Sequence, residues 1–135
     1  MAQQYKGSCL CGQVTYELEG DFDQFFFCHC SHCRKGTGSA HGANLFSHQA
    51  QLRWVTGEDR VKQFNLAGTR HTRAFCQECG SAMPIAQPNS QFVVVPAGSL
   101  DCDVNTQPTA HIFCGSRANW DAELNQVTEF SEFPS

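Results

Sequence analysis

At 135 residues and a formal net charge of −4, the chain is long enough for one domain with a real core and too short for two. Its 9 Lys and Arg residues are scattered rather than gathered into a stripe, which leaves no electrostatic case for a nucleic-acid partner. No apolar run approaches membrane-spanning length, and Met1 to Lys6 lack the apolar core of a signal peptide. The expectation is therefore a cytoplasmic protein without membrane contact, one domain over residues 1–135.

No long segment carries apolar residues at helical spacing, while short alternating or apolar runs recur between turn residues, so the fold class is mainly β. Val14 to Leu18 alternates and stops at Gly20. Phe25-Phe26-Phe27 runs straight into Cys28, and Leu52 to Val55 ends at the turn signal Gly57-Glu58-Asp59. Further short strands are expected over Val61 to Leu66, Arg73 to Phe75, Phe92 to Val95 and His111 to Phe113. Pro84, Pro88, Pro96 and Pro108 punctuate them. Helix is expected only as short turns, after Cys33 and over Arg117 to Leu124.

Nine cysteines are present, and seven fall into three clusters: Cys9-x-Cys11, Cys28-x-Cys30-x-x-Cys33 and Cys76-x-x-Cys79. In a reducing compartment such clusters read as metal ligands or redox thiols, and an odd total argues against a fully paired disulfide framework. Cys76 to Cys79 is followed by Gly80, and Cys9 to Cys11 by Gly12, a residue that supplies the permissive backbone a metal knuckle needs. Two such half-sites combine into one closed four-thiolate zinc site that ties the N-terminal segment to the middle of the chain. The competing reading, thioredoxin-like redox chemistry at Cys76 and Cys79, lacks the βαβ pattern that would surround it.

Pairing the outer clusters leaves Cys28, Cys30 and Cys33 as a three-thiolate site with an open fourth position, which makes it the candidate catalytic centre. On a strand-to-turn segment His29 is expected to point away from the ion. His32 stays open between a fourth ligand, a partner to a sulfur, a proton shuttle and a solvated turn residue. Three thiolates on a zinc ion leave a formal charge of −1, better suited to holding an incoming thiolate than to making hydroxide.

Three strings carry a family resemblance: Gly7-Ser8-Cys9-Leu10-Cys11-Gly12-x-Val14-x-Tyr16, then Cys28-His29-Cys30-Ser31-x-Cys33-Arg34-Lys35-x-Thr37-Gly38-Ser39, then Phe75-Cys76-x-x-Cys79-Gly80-Ser81. Together with His111-Ile112-Phe113 and Trp120, the chain resembles the glutathione-dependent formaldehyde-activating enzymes. The resemblance implies a β-rich, Mss4-like zinc-binding fold of short strands with little helix. It implies a structural zinc on Cys9, Cys11, Cys76 and Cys79, and a second, more labile zinc on Cys28, Cys30 and Cys33. The activity it implies is that of a carbon–sulfur lyase, combining glutathione and formaldehyde as S-(hydroxymethyl)glutathione synthases do. Asn119 stands before Trp120 where the family often has proline. Cys102 and Cys114 lie outside the metal motifs, and Cys114, next to Ile112-Phe113, is expected to be a small core residue.

On this reading the second zinc holds a thiolate where a carbonyl carbon can be attacked, and orientation does most of the catalysis. Arg34, Lys35, Arg70, Arg73 and Arg117 are candidates for a tripeptide's carboxylates, each weighed against a solvated surface charge. Thr37 and Ser39 are candidate donors to a substrate oxygen, weighed against an ordinary turn. Two other readings stay open: a lyase acting on another small C–S or C–N adduct, and a non-catalytic zinc domain that binds a protein partner.

Overall fold

The computed structural model describes residues 3–87 and 92–134; Met1, Ala2 and the turn expected at Pro88 lie outside them. In chain order the elements are β1 (Gln4–Ser8), β2 (Thr15–Glu19), β3 (Gln24–Cys28), α1 (Ser31–Thr37), β4 (Gly42–Ser47), β5 (Gln51–Thr56), β6 (Val61–Asn65), β7 (Thr72–Cys76), β8 (Ala82–Met83), β9 (Ile85–Ala86), β10 (Val93–Pro96) and β11 (Ala110–Ile112). The protein is mainly β. The strands of the described residues form three small sheets, ordered β1-β2-β5, β11-β3-β4-β10-β9 and β6-β7-β8. Among the described residues, pairing is antiparallel except between β11 and β3, which run parallel with Ile112 opposite Cys28. Among the described residues, no helix is long and apolar enough to cross a membrane.

Alternation places the core. Tyr5 of β1, Tyr16 and Leu18 of β2, Leu45 of β4 and Val93 and Val95 of β10 are buried in one cluster with Val14, Met83, Ala74, Cys9 and Cys76. Tyr16 needs a partner without a side chain: it pairs with Gly7, where an added Cβ would fall 2.2 Å from the Tyr16 Cζ. The Tyr16 phenol is satisfied by the Ser99 hydroxyl at 2.5 Å, as a buried tyrosine requires.

Two helical expectations are corrected. The helix near Cys33 begins before it, at Ser31, because Cys30 serves as the N-cap and its sulfur accepts the Cys33 backbone N–H at 3.3 Å. Arg117 to Leu124 is not helical. The 3₁₀ turns Cys114–Ser116 and Leu124–Gln126 lie at its two ends, and between them the Arg117 and Asp121 side chains meet at 3.3 Å. The strand expected over His111 to Phe113 stops at Ile112 because Phe113 adopts a left-handed φ of 56°.

Candidate metal centres and the cavity beside them

Cys9 and Cys11 flank the turn between β1 and β2. Cys76 ends β7 and Cys79 sits in the turn before β8. Each turn closes on a glycine in the left-handed region, Gly12 at φ 81° and Gly80 at φ 77°. The Gly12 N–H donates to the Cys9 carbonyl at 3.1 Å and the Gly80 N–H to the Cys76 carbonyl at 2.7 Å. Folding brings the two turns together, so that the four sulfurs lie within 4.8 Å of one another. The Cys9 and Cys11 sulfurs are 3.5 Å apart, and those of Cys11 and Cys76 are 3.9 Å apart. Sulfurs on a tetrahedral zinc at ~2.3 Å stand ~3.8 Å from each other, so this group fits such an ion.

Ser81 links the two turns. Its hydroxyl oxygen accepts the Leu10 backbone N–H at 2.8 Å and lies 3.3 Å from the Cys79 sulfur. The Ser81 hydroxyl, then the Ser81 and Cys11 backbone amides, hold the Cys79 thiol down at about 5. At Cys11 the Gln13 amide pulls the same way, but desolvation and the Cys9, Cys79 and Cys76 sulfurs outweigh it and push the thiol up to about 11. Four adjacent thiols cannot all ionise unaided. A divalent cation removes that conflict.

The second group forms where β3 enters α1. The sulfurs of Cys28, Cys30 and Cys33 lie within 4.8 Å of one another. Burial pushes the Cys28 thiol up, and pushes Cys33 up further with help from Cys28 and Cys30. Burial also opposes ionisation of Cys30, but the Cys33 backbone N–H and the Cys28 and Cys33 sulfurs prevail and lower it. The donor set fits a thiophilic ion with a position to spare. All nine cysteines are free, with no disulfide.

His29 turns away from the sulfurs and is fully buried. Its Nδ1 lies 2.9 Å from Asp121 Oδ2 and its Nε2 lies 2.8 Å from His111 Nδ1. The contact with Asp121 is close but poorly aligned, leaving both atoms without a well-formed hydrogen bond. Burial, then Arg117, lowers the His29 pKa against the pull of Asp121. His32 is exposed on α1, outside the thiolate group, with its ring 5.2 Å from that of His71.

A cavity of about 330 Å³ opens beside Cys33, lined also by Thr37, Gly42, Asn44, His71 and Arg73. Gly42 makes room in it. A Cβ there would stand 3.3 Å from Asn44 Nδ2 and 3.6 Å from Cys33 Sγ, so the missing side chain leaves a gap between amide and thiol. Sequence reasoning passed over Asn44, Gly42, His71, Ser81 and Asp121 as site residues. Gly42 and Asn44 carry no local signal, because the run Gly42–Ser47 has no β-branched residue to mark it as a strand.

The other candidates separate. Arg117 pairs with Asp121, Arg70 and Lys35 are exposed, and Arg73 is half-buried in the cavity wall. Thr37 donates to the Cys33 carbonyl at 2.9 Å and accepts the Ser39 N–H at 3.1 Å, so it finishes the helix. Cys114 is exposed rather than a core residue, because the 3₁₀ turn it opens lies on the surface with Arg117 Nη2 3.8 Å from its sulfur. Cys102 is exposed as well.

Comparison with known proteins agrees with this geometry. The family model for the glutathione-dependent formaldehyde-activating enzyme matches residues 4–116, a span that holds both thiolate groups. A Halomonas elongata protein bearing that family's name is 29% identical over 125 residues, covering 85% of this chain and 78% of the relative. A crystal structure of a Rhodobacter sphaeroides protein shares the fold, with a TM-score of 0.51 at 23% identity over 78% of this chain and 98% of that one. The chain belongs to the glutathione-dependent formaldehyde-activating enzyme family.

Proposed function

We propose that this protein is a zinc-dependent carbon–sulfur lyase of about one domain, residues 1–135, acting in the cytoplasm on a thiol and formaldehyde, with glutathione as the thiol. The observation that carries the reading is the gathering of the Cys28, Cys30 and Cys33 sulfurs into one group whose Cys33 lines a cavity. In the same reading, Cys9, Cys11, Cys76 and Cys79 hold a structural zinc, and the inner three cysteines hold a labile one. Zinc bound by three thiolates supplies Lewis acidity at its open position, which favours the ionised form of a substrate thiol.

The remaining chemistry belongs to the chain. The substrate sulfur forms a bond to the carbonyl carbon, the C=O π pair moves to oxygen, and that oxygen takes up a proton to give the hydroxymethyl thioether. Asn44 presents its amide to the cavity next to Cys33, where it can donate to the oxygen as negative charge develops. Cys30 is both a ligand and the N-cap of α1, so the helix fixes the loop that carries the site. Confining two small reactants in one cavity raises their effective concentration.

Exchange spectroscopy near equilibrium tests this directly. The interconversion of formaldehyde and its glutathione adduct is expected to speed up in proportion to protein, and Cys30→Ser to remove the gain. Equal rates with and without protein, the inner metal being confirmed present, would refute the activity.

A further inference from the structure

Arg73 is a cation without a counter-charge. It lies half-buried on β7, and none of the ion pairs among the described residues includes it. Its position is fixed from two sides. The guanidinium carbon stands 5.7 Å from the Phe75 ring centroid, a contact that favours a planar cation. Across α1, a Cβ at Gly36 would come within 2.9 Å of Arg73 Cδ and 3.2 Å of its Nε, so the arginine stem lies in the space that glycine leaves. The same side chain lines the cavity containing Cys33 and a second, of about 230 Å³, that runs on past His32 and Lys35.

Holding a guanidinium partly out of water with no carboxylate beside it is unfavourable unless a ligand completes the pair. The nearby thiolate group makes the demand specific. Three thiolates and a divalent ion sum to −1, a further thiolate makes −2, and a carboxylate on the same ligand adds to the repulsion. A positive charge in the adjoining cavity offsets that build-up. Its planar fork also suits a carboxylate better than a lysine ammonium does.

We propose that Arg73 determines specificity at the three-thiolate site by binding a carboxylate of the substrate, so that the protein selects thiols that carry one. This rests on the functional reading above and adds the residue that would discriminate among thiols.

The test compares glutathione with its diethyl ester on the zinc-loaded protein, reading binding by calorimetry and adduct exchange by NMR. The wild type is expected to bind the carboxylate form about 10-fold or more tightly than the ester, and the difference to shrink with rising ionic strength. R73Q is expected to bring the two within about 2-fold, and R73K to fall between, keeping the charge without the fork. Loss of preference should appear mainly in KM. An R73Q protein that is folded, carries both metals and keeps the full preference overturns the proposal. So does a wild type with no preference, which decides the matter even if R73Q fails to fold. Retained exchange without preference removes only Arg73's role, whereas absence of both thiol binding and exchange overturns the functional reading with it.

Discussion

His29 Nδ1 and Asp121 Oδ2 lie 2.9 Å apart although 92 positions separate them in the chain. Both are buried, and the contact fastens the C-terminal segment to the residue between Cys28 and Cys30. With a carboxylate at Nδ1, the tautomer that fits carries its proton there and leaves Nε2 to accept from His111. Asp121 thereby steadies the backbone of the inner site without touching its sulfurs. Asp121→Ala is expected to lower stability by ~1–3 kcal/mol, since it strands a buried imidazole and Arg117 together. Asp121→Asn, which retains an acceptor, should lose less than half as much. Urea denaturation of the zinc-loaded variants checks both, and an unchanged midpoint in Asp121→Ala would contradict the assignment.

Ser81 makes a second prediction. It accepts from Leu10 in one turn and meets the Cys79 sulfur in the other, so its loss loosens both halves of the four-thiolate group. Ser81→Ala should weaken zinc retention at that group ~10–100-fold and raise the Cys79 thiol from about 5. Competition against a chromophoric chelator measures the first effect. Wild-type retention in the variant would show that Ser81 is incidental.

Gly42→Ala separates stability from activity. The backbone there is not in the left-handed region, and the new methyl would press on Asn44 Nδ2 at 3.3 Å while only touching Cys33 Sγ at 3.6 Å. The added atom fills the gap where a carbonyl would sit. The expected result is a melting temperature within a few degrees of wild type, by the usual scale of ~1 kcal/mol for mild overpacking, with exchange reduced at least tenfold. Full activity in Gly42→Ala would move the reaction away from this cavity.

Metal removal should proceed in two stages. Chelation is expected to take the ion on Cys28, Cys30 and Cys33 first, because three protein ligands hold it against four at the outer group. Secondary structure should survive that stage and collapse with the second. Cys76→Ser should lose the outer ion and the fold together, since Cys76 is fully buried in the core. Simultaneous loss of both metals in a chelator titration, followed by metal analysis and circular dichroism, would rule out the ranking.

The cysteine spacings and following glycines make both thiolate groups legible in the sequence, because ligand geometry at a turn is encoded within a few residues. The strands with clean alternation, such as Thr15–Glu19, were legible for the same local reason. β1 and β4 were not. Gln4–Ser8 is short and mixed, and Gly42–Ser47 is central in its sheet with no β-branched residue; each is a strand because of what pairs with it. The start of α1 escaped because its cap is a cysteine rather than serine, threonine, aspartate or asparagine. Asp121 escaped because its partner is 92 positions away, and Arg73 stood out from the other cations only once Gly36 and Phe75 were seen to hold it.

The wide sequence separation within the outer thiolate group has a consequence for biosynthesis. The inner three cysteines are all made once Cys33 has been translated, whereas Cys9 and Cys11 wait for Cys76 and Cys79. At ~5–20 residues per second that wait lasts seconds, during which five cysteines share a nascent chain with no β7 to sort them. A metal ion met in that interval can draw Cys9 and Cys11 into a set with the inner cysteines, closing a far shorter loop than the native one. Escape from that set depends on ligand exchange, which the thiolate-by-thiolate substitution available to zinc permits. The emerging β7 supplies the drive, because in the native set Cys9 and Cys76 both lie in the core.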